Sequence, residues 1–386
     1  MEISERLNKL PPYLFVKIDQ LKQKALSEGR DIIDLGIGDP DLPTPLPIVE
    51  RMQEAVDKPA FHRYPSNKGR IELRSAISRW YERRFKVSLN PETEILPLIG
   101  SKEGIAHMPF AFLNEGDAAL IPDPSYPPYR NSCILAGGVP YIVPLLEEND
   151  FLPDLTAIPG PVARKARLFF LNYPNNPTSA VAQRGFFEEV IEFAKINNVI
   201  VCHDAAYSEL AFDGIRPISF LELAGARECG VEFHSFSKTY NMTGWRIGWV
   251  SGNADVIRAL ATVKSNIDSG IFEAVQDAGI AALGLPEEYQ DQQIATFRRR
   301  RDILVDGLNA LGWTIERPKA TFYVWTKIPK GFDSSGSFSQ HALAAGNMVI
   351  TPGAGFGKYG EGYVRMALTV SEERLTEAVE RFRKIL

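Results

Sequence analysis

Cysteine is scarce in this chain, and metal-binding patterns are missing. Its 386 residues include three cysteines, Cys133, Cys202 and Cys229, at scattered positions without a CxxC spacing. This number and spacing support neither a disulfide framework nor a zinc site. The histidines show no metal-ligand spacing either, so we expect no metal and assign packing or hydrogen-bonding roles to His62, His107, His203, His234 and His341.

Long apolar runs and an excess of positive charge are also missing. No run approaches the ~18 apolar residues that a membrane helix needs, and residues 1–31 lack an apolar core of signal-peptide length. The formal net charge is -5, whereas nucleic acid or an anionic membrane as the main partner would favour a basic surface. We therefore expect a cytoplasmic protein that binds small molecules, with neither nucleic acid nor a membrane as its partner.

The chain does contain amphipathic helices that alternate with short apolar strands. Helical periodicity is visible in IELRSAISRWYERRF and FFEEVIEFAKINN, whereas ARLFFLNYP, NNVIVCHDA and VEFHSFS are apolar runs of strand length. This βαβ pattern predicts an α/β fold whose mostly parallel sheet is covered on both faces.

The pattern changes after about residue 285, where a charged helix leads into mixed strands and a terminal helix. We interpret this change as the start of a second, smaller domain. The prediction is a large domain at residues 46–285, a small C-terminal α+β domain at residues 286–386, and an N-terminal segment, residues 1–45, that joins the small domain.

Polar residues follow the apolar runs, where a parallel sheet would bind a ligand. Ligands of open parallel sheets lie just beyond the carboxyl ends of the strands. Here LFFLN leads into YPNNPTS, VIVC into HDAAYSE, and VEFH into SFSK. If these strands are neighbours, one cleft receives the side chains of Asn176, Asp204, Tyr207, Ser235, Ser237 and Lys238.

These residue types are suited to binding an aldehyde cofactor and reacting with it. A desolvated lysine amine near cationic groups has a lowered pKa and becomes a nucleophile toward an aldehyde such as pyridoxal 5'-phosphate. The carboxylate of Asp204 would hold the proton on the pyridine nitrogen of this cofactor, and Asn176 and Tyr207 could bind its phenolic oxygen. Phosphate would suit the start of the helical stretch in GSKEGIAH, together with Arg246 and the hydroxyls of Ser101, Ser235 and Ser237.

The chain resembles the fold-type I, class I/II aminotransferases along nearly its whole length. Seven motifs stand in the family's order: YPSNKG, GSKEGI, PDPSYPPY, YPNNPT, DAAY, SFSKTYNMTGWRIGW and YVRMALT. The resemblance implies that the large domain binds pyridoxal 5'-phosphate and that the protein is a transaminase acting by a ping-pong mechanism on small amino and keto acids. It also implies a homodimer with active sites at the subunit interface.

The resemblance assigns roles to individual residues. It places the Schiff-base lysine at Lys238, the pyridinium partner at Asp204 and the partners of the phenolic oxygen at Asn176 and Tyr207. It implies a phosphate site made by Ser101, the Lys102 backbone, Ser235, Ser237 and Arg246. Three further positions are Tyr126, stacked on the pyridine ring, Tyr64, reaching the phosphate of the neighbouring subunit, and Arg365, binding the substrate α-carboxylate.

A narrower resemblance concerns the substrate. LPPYLF, LGIGDPD, IGSKEGIAH and KSNIDSGIF resemble the LL-diaminopimelate aminotransferase subgroup, which implies amino transfer between LL-diaminopimelate and 2-oxoglutarate in lysine biosynthesis. Tyr13 and Gly38 match substrate-contacting positions of that subgroup, and Lys102, Tyr126 and Asn176 are further candidates for substrate contact. Two departures are Ser179, where glycine is usual, and Thr239, where proline is common.

Several alternatives stay open at this point. The enzyme could be a broad aminotransferase for aspartate, aromatic or branched substrates, or a lyase that uses the same cofactor. A noncatalytic ligand sensor is disfavoured because no helix-turn-helix or basic segment is visible. Individually, Asp204 could cap a helix, Arg365 could lie on the polar outer face of a strand, and Tyr64 and Tyr126 could be core aromatics.

Overall fold

The protein has a large seven-stranded sheet, a small three-stranded sheet and a two-stranded sheet, with helices around them. The computed structural model describes residues 2–11 and 14–386, except for the side chains of residues 14–18. Its helices are α1 Glu5–Asn8, α2 Leu14–Ser27, α3 Leu46–Val56, α4 Ile71–Phe85, α5 Ser101–Phe112, α6 Pro128–Leu135, α7 Gly160–Lys165, α8 Arg184–Asn197, α9 Ala226–Cys229, α10 Phe236–Thr239, α11 Ala254–Ile267, α12 Glu273–Leu283, α13 Glu287–Ala310, α14 Ser335–Gly346 and α15 Glu372–Phe382. Its strands are β1 Ile33–Asp34, β2 Ile95–Leu98, β3 Ala118–Asp123, β4 Val139–Pro144, β5 Ala166–Asn172, β6 Ile200–Asp204, β7 Gly230–Ser235, β8 Gly248–Gly252, β9 Tyr323–Lys327, β10 Met348–Val349, β11 Thr351–Pro352 and β12 Tyr363–Ala367.

The large sheet has the strand order β2-β8-β7-β6-β5-β3-β4. Strand β8 runs antiparallel to both of its neighbours, and the other pairings are parallel. Strands β5, β6 and β7 are consecutive in the sheet, so their carboxyl ends meet at one edge. The predicted α/β fold with a mostly parallel sheet is therefore confirmed, and so is the adjacency on which the predicted cleft depended.

Helices cover both faces of this sheet because its strands carry apolar side chains on both sides. In β5, Phe169 and Leu171 join the core beneath α4 and α8, whereas Leu168 and Phe170 join the core beneath α5 and α11. Side chains of a strand alternate between faces, so an uninterrupted apolar run builds two cores at once. The apolar stripe of α8 includes Phe187, which is fully buried against this sheet.

The small sheet gathers C-terminal strands in the antiparallel order β11-β12-β9. Strand β1, from the N-terminal segment, pairs in parallel with β10, with Ile33 opposite Met348. This pairing supports the predicted association of residues 1–45 with the C-terminal domain, although the domain boundaries stay predictions. In the described part of the chain, no helix combines the length and the apolar character that crossing a membrane requires.

Candidate active site

A cleft of about 420 Å³ lies at the carboxyl ends of β5, β6 and β7. Its lining includes every predicted site residue of the described chain except Tyr64, which is 91% exposed elsewhere on the surface. That exposure rules out the reading of Tyr64 as a core aromatic. The predicted Tyr13 lies outside the described residues. The cleft thus brings together Gly38, Ser101, Lys102, Tyr126, Asn176, Asp204, Tyr207, Ser235, Ser237, Lys238, Arg246 and Arg365.

Asp204 provides a buried carboxyl group at the end of β6. The Tyr129 hydroxyl donates a hydrogen bond to Oδ2 over 2.7 Å, and the backbone N–H of Ala206 donates to Oδ1 over 3.2 Å. No helix starts after Asp204, so it is not a helix cap. Burial raises the pKa of this carboxyl, although the hydrogen bond from Tyr129 opposes the rise. A cation such as a pyridinium would stabilise the buried anion.

Asn172 fixes the loop that carries Asn176. Its Nδ2 donates to the carbonyl oxygen of Asp204 over 2.7 Å, and its Oδ1 accepts the backbone N–H of Asn176 over 2.7 Å. The Oδ1 of Asn176 accepts a hydrogen bond from Arg365 Nη1 over 2.7 Å. This pairing leaves Nδ2 of Asn176 as a donor for an oxygen in the cleft.

Lys238 lies half-buried in the cleft, in the short helix α10. Its Nζ donates to the carbonyl oxygen of Gly38 over 2.8 Å, and the backbone carbonyl oxygen of Lys238 accepts a hydrogen bond from Gln293 Nε2 over 2.7 Å. Burial lowers the pKa of Lys238 to about 8, and the charges of Arg365 and Arg246 act in the same direction against the opposing charge of Asp39. A neutral amine is thus available near neutral pH.

The reactivity of Lys238 should follow this lowered pKa. In apoprotein, we expect the rate of covalent attachment of pyridoxal 5'-phosphate, trapped with borohydride, to rise with pH around a midpoint near 8 rather than the ordinary 10.5. The sign follows because burial disfavours the ammonium form, so the reactive amine accumulates at lower pH. Lys238→Ala is the control that should remove the midpoint. A midpoint near 10.5 would contradict the assignment.

Donors suited to a phosphate cluster around the start of α5. Helix α5 begins at Ser101, and the exposed Arg246 lies so close that a Cβ on Gly100 would be 2.4 Å from its Nη2. Gly100 also has a φ of 76°, which favours glycine. A helix N-terminus, a guanidinium and nearby serine hydroxyls form an anion-binding set. Ser235 and Ser237 line the same cleft.

Arg365 is a buried cation in β12, only 4% exposed. Its guanidinium lies 4.0 Å from the ring centre of Tyr323 and 4.6 Å from that of Phe356, and Nη2 donates to the Gly36 carbonyl over 2.8 Å. Within the described residues, its buried Nε has no hydrogen-bond partner. The predicted alternative of a polar outer face is therefore wrong, and the buried Nε fits a carboxylate ligand.

Tyr323 is a cleft residue that the sequence analysis did not identify. Its hydroxyl lies 3.1 Å from the hydroxyl of Tyr207, and a Cβ added to Gly38 would meet it at 1.8 Å. Glycine is therefore required at position 38, because Tyr323, which is distant in the sequence, leaves no room for a side chain there. Other lining residues missed from sequence include Gly36, Asp39, Tyr129, Asn172 and Phe356. Tyr129 is the last residue of the PDPSYPPY motif, and Asn172 directly precedes YPNNPT, but neither had been assigned a role.

The two departures from the family pattern leave the cleft intact. Ser179 has a φ of 62°, which explains why glycine suits this position. Its hydroxyl hydrogen-bonds Thr321 Oγ1 and donates to the Tyr323 carbonyl, each over 2.8 Å. Thr239 ends α10 directly after Lys238.

A cluster of possible metal ligands is formed by Glu103 and His107 of α5 and by Asp268, directly after α11. Ligand atoms of Glu103, His107 and Asp268 fall within 4.8 Å of one another. The buried ammonium of Lys264 lies 3.0 Å from Glu103 and 2.7 Å from Asp268. The cluster is therefore an ion-pair network, in which Lys264 already neutralises carboxylate charge.

Comparisons with known proteins match the chain over nearly its full length. The family model for aminotransferase class I and II matches residues 30–382. An LL-diaminopimelate aminotransferase from Desulforudis audaxviator is 55% identical over 99% of this chain and 97% of its own. Among solved structures, substrate-bound BacF from Bacillus subtilis is 40% identical, with a TM-score of 0.96 and coverage of 100% of this chain and 98% of its own. An aspartate aminotransferase double mutant from Thermus thermophilus is 28% identical, with a TM-score of 0.93 and full coverage of both chains.

Proposed function

Since the chain belongs to the aminotransferase class I and II family, we propose that it transfers an amino group between LL-diaminopimelate and 2-oxoglutarate, in lysine biosynthesis. It is an enzyme, a transaminase that depends on pyridoxal 5'-phosphate. The observation that carries the substrate proposal is the identity of 55% over nearly the whole chain to a relative of that specificity. The aspartate aminotransferase from Thermus thermophilus shares the fold at only 28% identity.

The cleft residues fit the cofactor by the chemistry of their donors. Ser101, Ser235, Ser237 and Arg246 would hold its phosphate, and the buried carboxylate of Asp204 would pair with its pyridine nitrogen. Tyr126 would stack on its ring, and the remaining amide donor of Asn176 and the hydroxyl of Tyr207 would face its phenolic oxygen. When bound, pyridoxal 5'-phosphate withdraws electrons from the α-carbon of an amino acid.

Lys238 moves the proton in the proposed reaction. Its neutral Nζ would take the proton from the substrate α-carbon and hold it for the return transfer. A pKa of about 8 suits both accepting and returning a proton near neutral pH. The donor leaves as a keto acid, and the same steps in reverse convert the acceptor keto acid to an amino acid.

A half-reaction screen tests the substrate proposal. Purified holoenzyme is mixed with LL-diaminopimelate, glutamate, aspartate, phenylalanine and alanine in turn, and the absorbance change of the cofactor is followed. We expect fast conversion to the amino form with LL-diaminopimelate and glutamate. No conversion with LL-diaminopimelate would reject the proposal in favour of a broad aminotransferase. Continuous keto-acid release without accumulation of the amino form would indicate a lyase.

Two cationic groups suit the two ends of the proposed substrates. LL-diaminopimelate and 2-oxoglutarate both carry a second carboxylate away from the reacting carbon. Arg365 is buried beside Asn176 and would bind the α-carboxylate. Lys102 lines the cleft with an exposed side chain, and its flexible stem would let a point charge reach distal carboxylates of different length.

Lys102→Met should therefore discriminate between substrates. Loss of a charged hydrogen bond should cost roughly 1.5–3 kcal/mol of transition-state binding. We expect kcat/KM to fall by about one to two orders of magnitude for LL-diaminopimelate and glutamate, with little change in a slow reaction with alanine. An equal fall in kcat/KM with all three donors would contradict the role in distal carboxylate binding and would indicate that Lys102 acts at the cofactor phosphate.

We also propose a cytoplasmic homodimer in which Tyr64 reaches the phosphate site of the partner subunit. The support is family membership and the side chain itself, a tyrosine that is 91% exposed in the single chain and lies outside its own cleft. An exposed aromatic of this size suits an interface. The substrates are water-soluble amino and keto acids, which suits the cytoplasm.

Mixed dimers test the role of Tyr64. A dimer of one Lys238→Ala and one Tyr64→Phe subunit should contain one site free of both changes. Its activity should exceed that of either parent homodimer. A fully active monomer in sedimentation would contradict the shared site.

A further inference from the structure

A carboxylate in the core directly below the cleft has an unusual set of partners. Glu232 in β7 is completely buried. Both of its oxygens contact hydrogen-bond donors. Oε1 is approached by Tyr81 Oη at 3.0 Å, Ser219 Oγ at 2.7 Å and His234 Nε2 at 2.8 Å, and Oε2 by the Phe220 backbone N–H at 2.7 Å and His203 Nδ1 at 3.0 Å.

The contacts of His203 define how many protons this cluster holds. Its Nε2 lies 3.1 Å from the backbone carbonyl oxygen of Tyr173, which can only accept, so Nε2 carries a proton. Its Nδ1 faces Glu232 Oε2 and therefore needs a second proton, either on the ring or on the carboxyl group. With the other four donors also directed at its two oxygens, Glu232 is satisfied as an anion, which makes His203 an imidazolium.

The charge on Glu232 agrees with this proton count. Burial alone would raise the pKa of its carboxyl group, but the hydrogen bonds from His203 and His234 outweigh burial and hold the pKa well below its usual range. The charged and titratable groups around His203 are Glu232 and His234 on β7, Tyr81 on α4, Tyr173 after β5, and Asp204, the next residue on β6. The Phe187 ring packs 5.0 Å from the ring of His203, which is completely buried.

The cluster connects to all three strand ends that line the cleft. His203 immediately precedes Asp204, and the Tyr173 carbonyl that it binds begins the turn leading to Asn176. His234 immediately precedes Ser235. A single buried carboxylate thus links β5, β6 and β7 on the side of the sheet opposite Asp204, without itself lining the cleft.

We propose that Glu232 is a positioning residue, whose buried ion pair with the His203 imidazolium fixes the strand ends carrying Asn176 and Asp204 in the geometry that binds the cofactor. The proposal rests on the proposed cofactor contacts of Asn176 and Asp204. It does not depend on which amino acid is the substrate. Removing one partner of a buried charge pair leaves the other unpaired, so the strand ends should shift or loosen.

The protonation state can be measured in the unmodified holoenzyme. With 15N-labelled histidine, solid-state NMR at pH 7 should show both ring nitrogens of His203 protonated, with the resonances assigned by their loss in His203→Gln. This result does not require any Glu232 variant to fold. An unprotonated ring nitrogen on His203 would overturn the ion pair.

Matched variants separate positioning from general stability. Tyr81→Phe removes one hydroxyl donor to Glu232, which comes from α4 and not from the three strands, and keeps the ring that packs against His234. Glu232→Gln and His203→Gln remove the ion pair. All three should lower the Tm. Stepwise dilution of each holoenzyme should show the Kd of pyridoxal 5'-phosphate raised by about tenfold or more in Glu232→Gln and His203→Gln but unchanged in Tyr81→Phe.

Two results of the dilution experiment would contradict the proposal. One is an unchanged Kd in His203→Gln or in a folded Glu232→Gln; the other is an equal rise in Tyr81→Phe. If the wild type fails to use LL-diaminopimelate while this contrast in Kd persists, the substrate proposal fails and the positioning role stands. If the wild type uses LL-diaminopimelate but the contrast in Kd is absent, only the positioning role is rejected.

Discussion

Lys238→Ala should abolish transamination while leaving the fold intact. The substitution removes the amine that bonds to the cofactor and moves the substrate proton, two contributions that together should lower kcat by about four orders of magnitude or more. The fold should persist because Lys238 is only half-buried and, among the residues that the structure describes, its Nζ donates one hydrogen bond, to the carbonyl of Gly38. Its backbone contact with Gln293 does not involve the side chain.

The variant should still bind pyridoxal 5'-phosphate noncovalently. Arg246 and the serines around the start of α5 are separate from the lysine side chain and would keep holding the phosphate. Single-turnover absorbance measurements and mass spectrometry after borohydride treatment check both effects. Lys195→Ala, which changes a lysine paired with Glu228 outside the cleft, is the control. Near wild-type turnover together with a borohydride-reducible lysine adduct would disprove the assignment of Lys238.

The sequence predicted most of the cleft because its residues follow strands that are neighbours in space. Asn176, Asp204 and Lys238 each lie just beyond a buried apolar run, and parallel pairing of β5, β6 and β7 brings those runs side by side. The order of the motifs carried the assignment to a family. No comparable local signal marked Tyr323, which enters the cleft from a strand of the small sheet.

Residues buried by tertiary packing were the least predictable. Alternation in β12 alone left open that Arg365 lies on a polar outer face, because Val364 and Met366 occupy the apolar face, and only the family resemblance assigned Arg365 to the substrate. The second face is also covered, since the Arg365 guanidinium packs against the rings of Tyr323 and Phe356. Period-two alternation shows which residues share a face but not what lies on the other side.

The buried polar cluster around Glu232 was also not predictable from the sequence periodicity. In the sequence, VEFH reads as an ordinary strand in which a charged residue alternates with apolar ones. The sequence around Glu232 does not show that it points into the core, because four of its five donors come from α4, β6 and residues 219–220, and only His234 lies on the same strand. Only their convergence makes a buried anion tolerable.

Asp204→Asn should produce the second large loss of activity. The change replaces the buried anion opposite the proposed pyridine nitrogen with a neutral amide of nearly the same shape. The amide oxygen can still accept the hydrogen bond that Tyr129 donates to Oδ2 over 2.7 Å, so the structure should be retained. The lost electrostatic stabilisation should lower kcat by about 10²–10³-fold, as expected for preorganised charge in a closed site.

Tyr129→Phe is the matched control for the loss of charge at Asp204. It removes a single hydrogen bond to the carboxylate but keeps the anion, so its effect on kcat should be much smaller, about tenfold. The Tyr129 hydrogen bond lowers the pKa of Asp204, so its removal should raise that pKa further and shift the acid limb of the kcat profile to higher pH. Asp204→Asn has no carboxyl group to titrate and should lack that limb.

Stopped-flow half-reactions across pH, with the Kd of the cofactor measured in parallel, would separate the loss of charge from the loss of the hydrogen bond. An unchanged kcat in Asp204→Asn would make Asp204 a structural residue, whose side chain accepts hydrogen bonds from Tyr129 and the backbone N–H of Ala206.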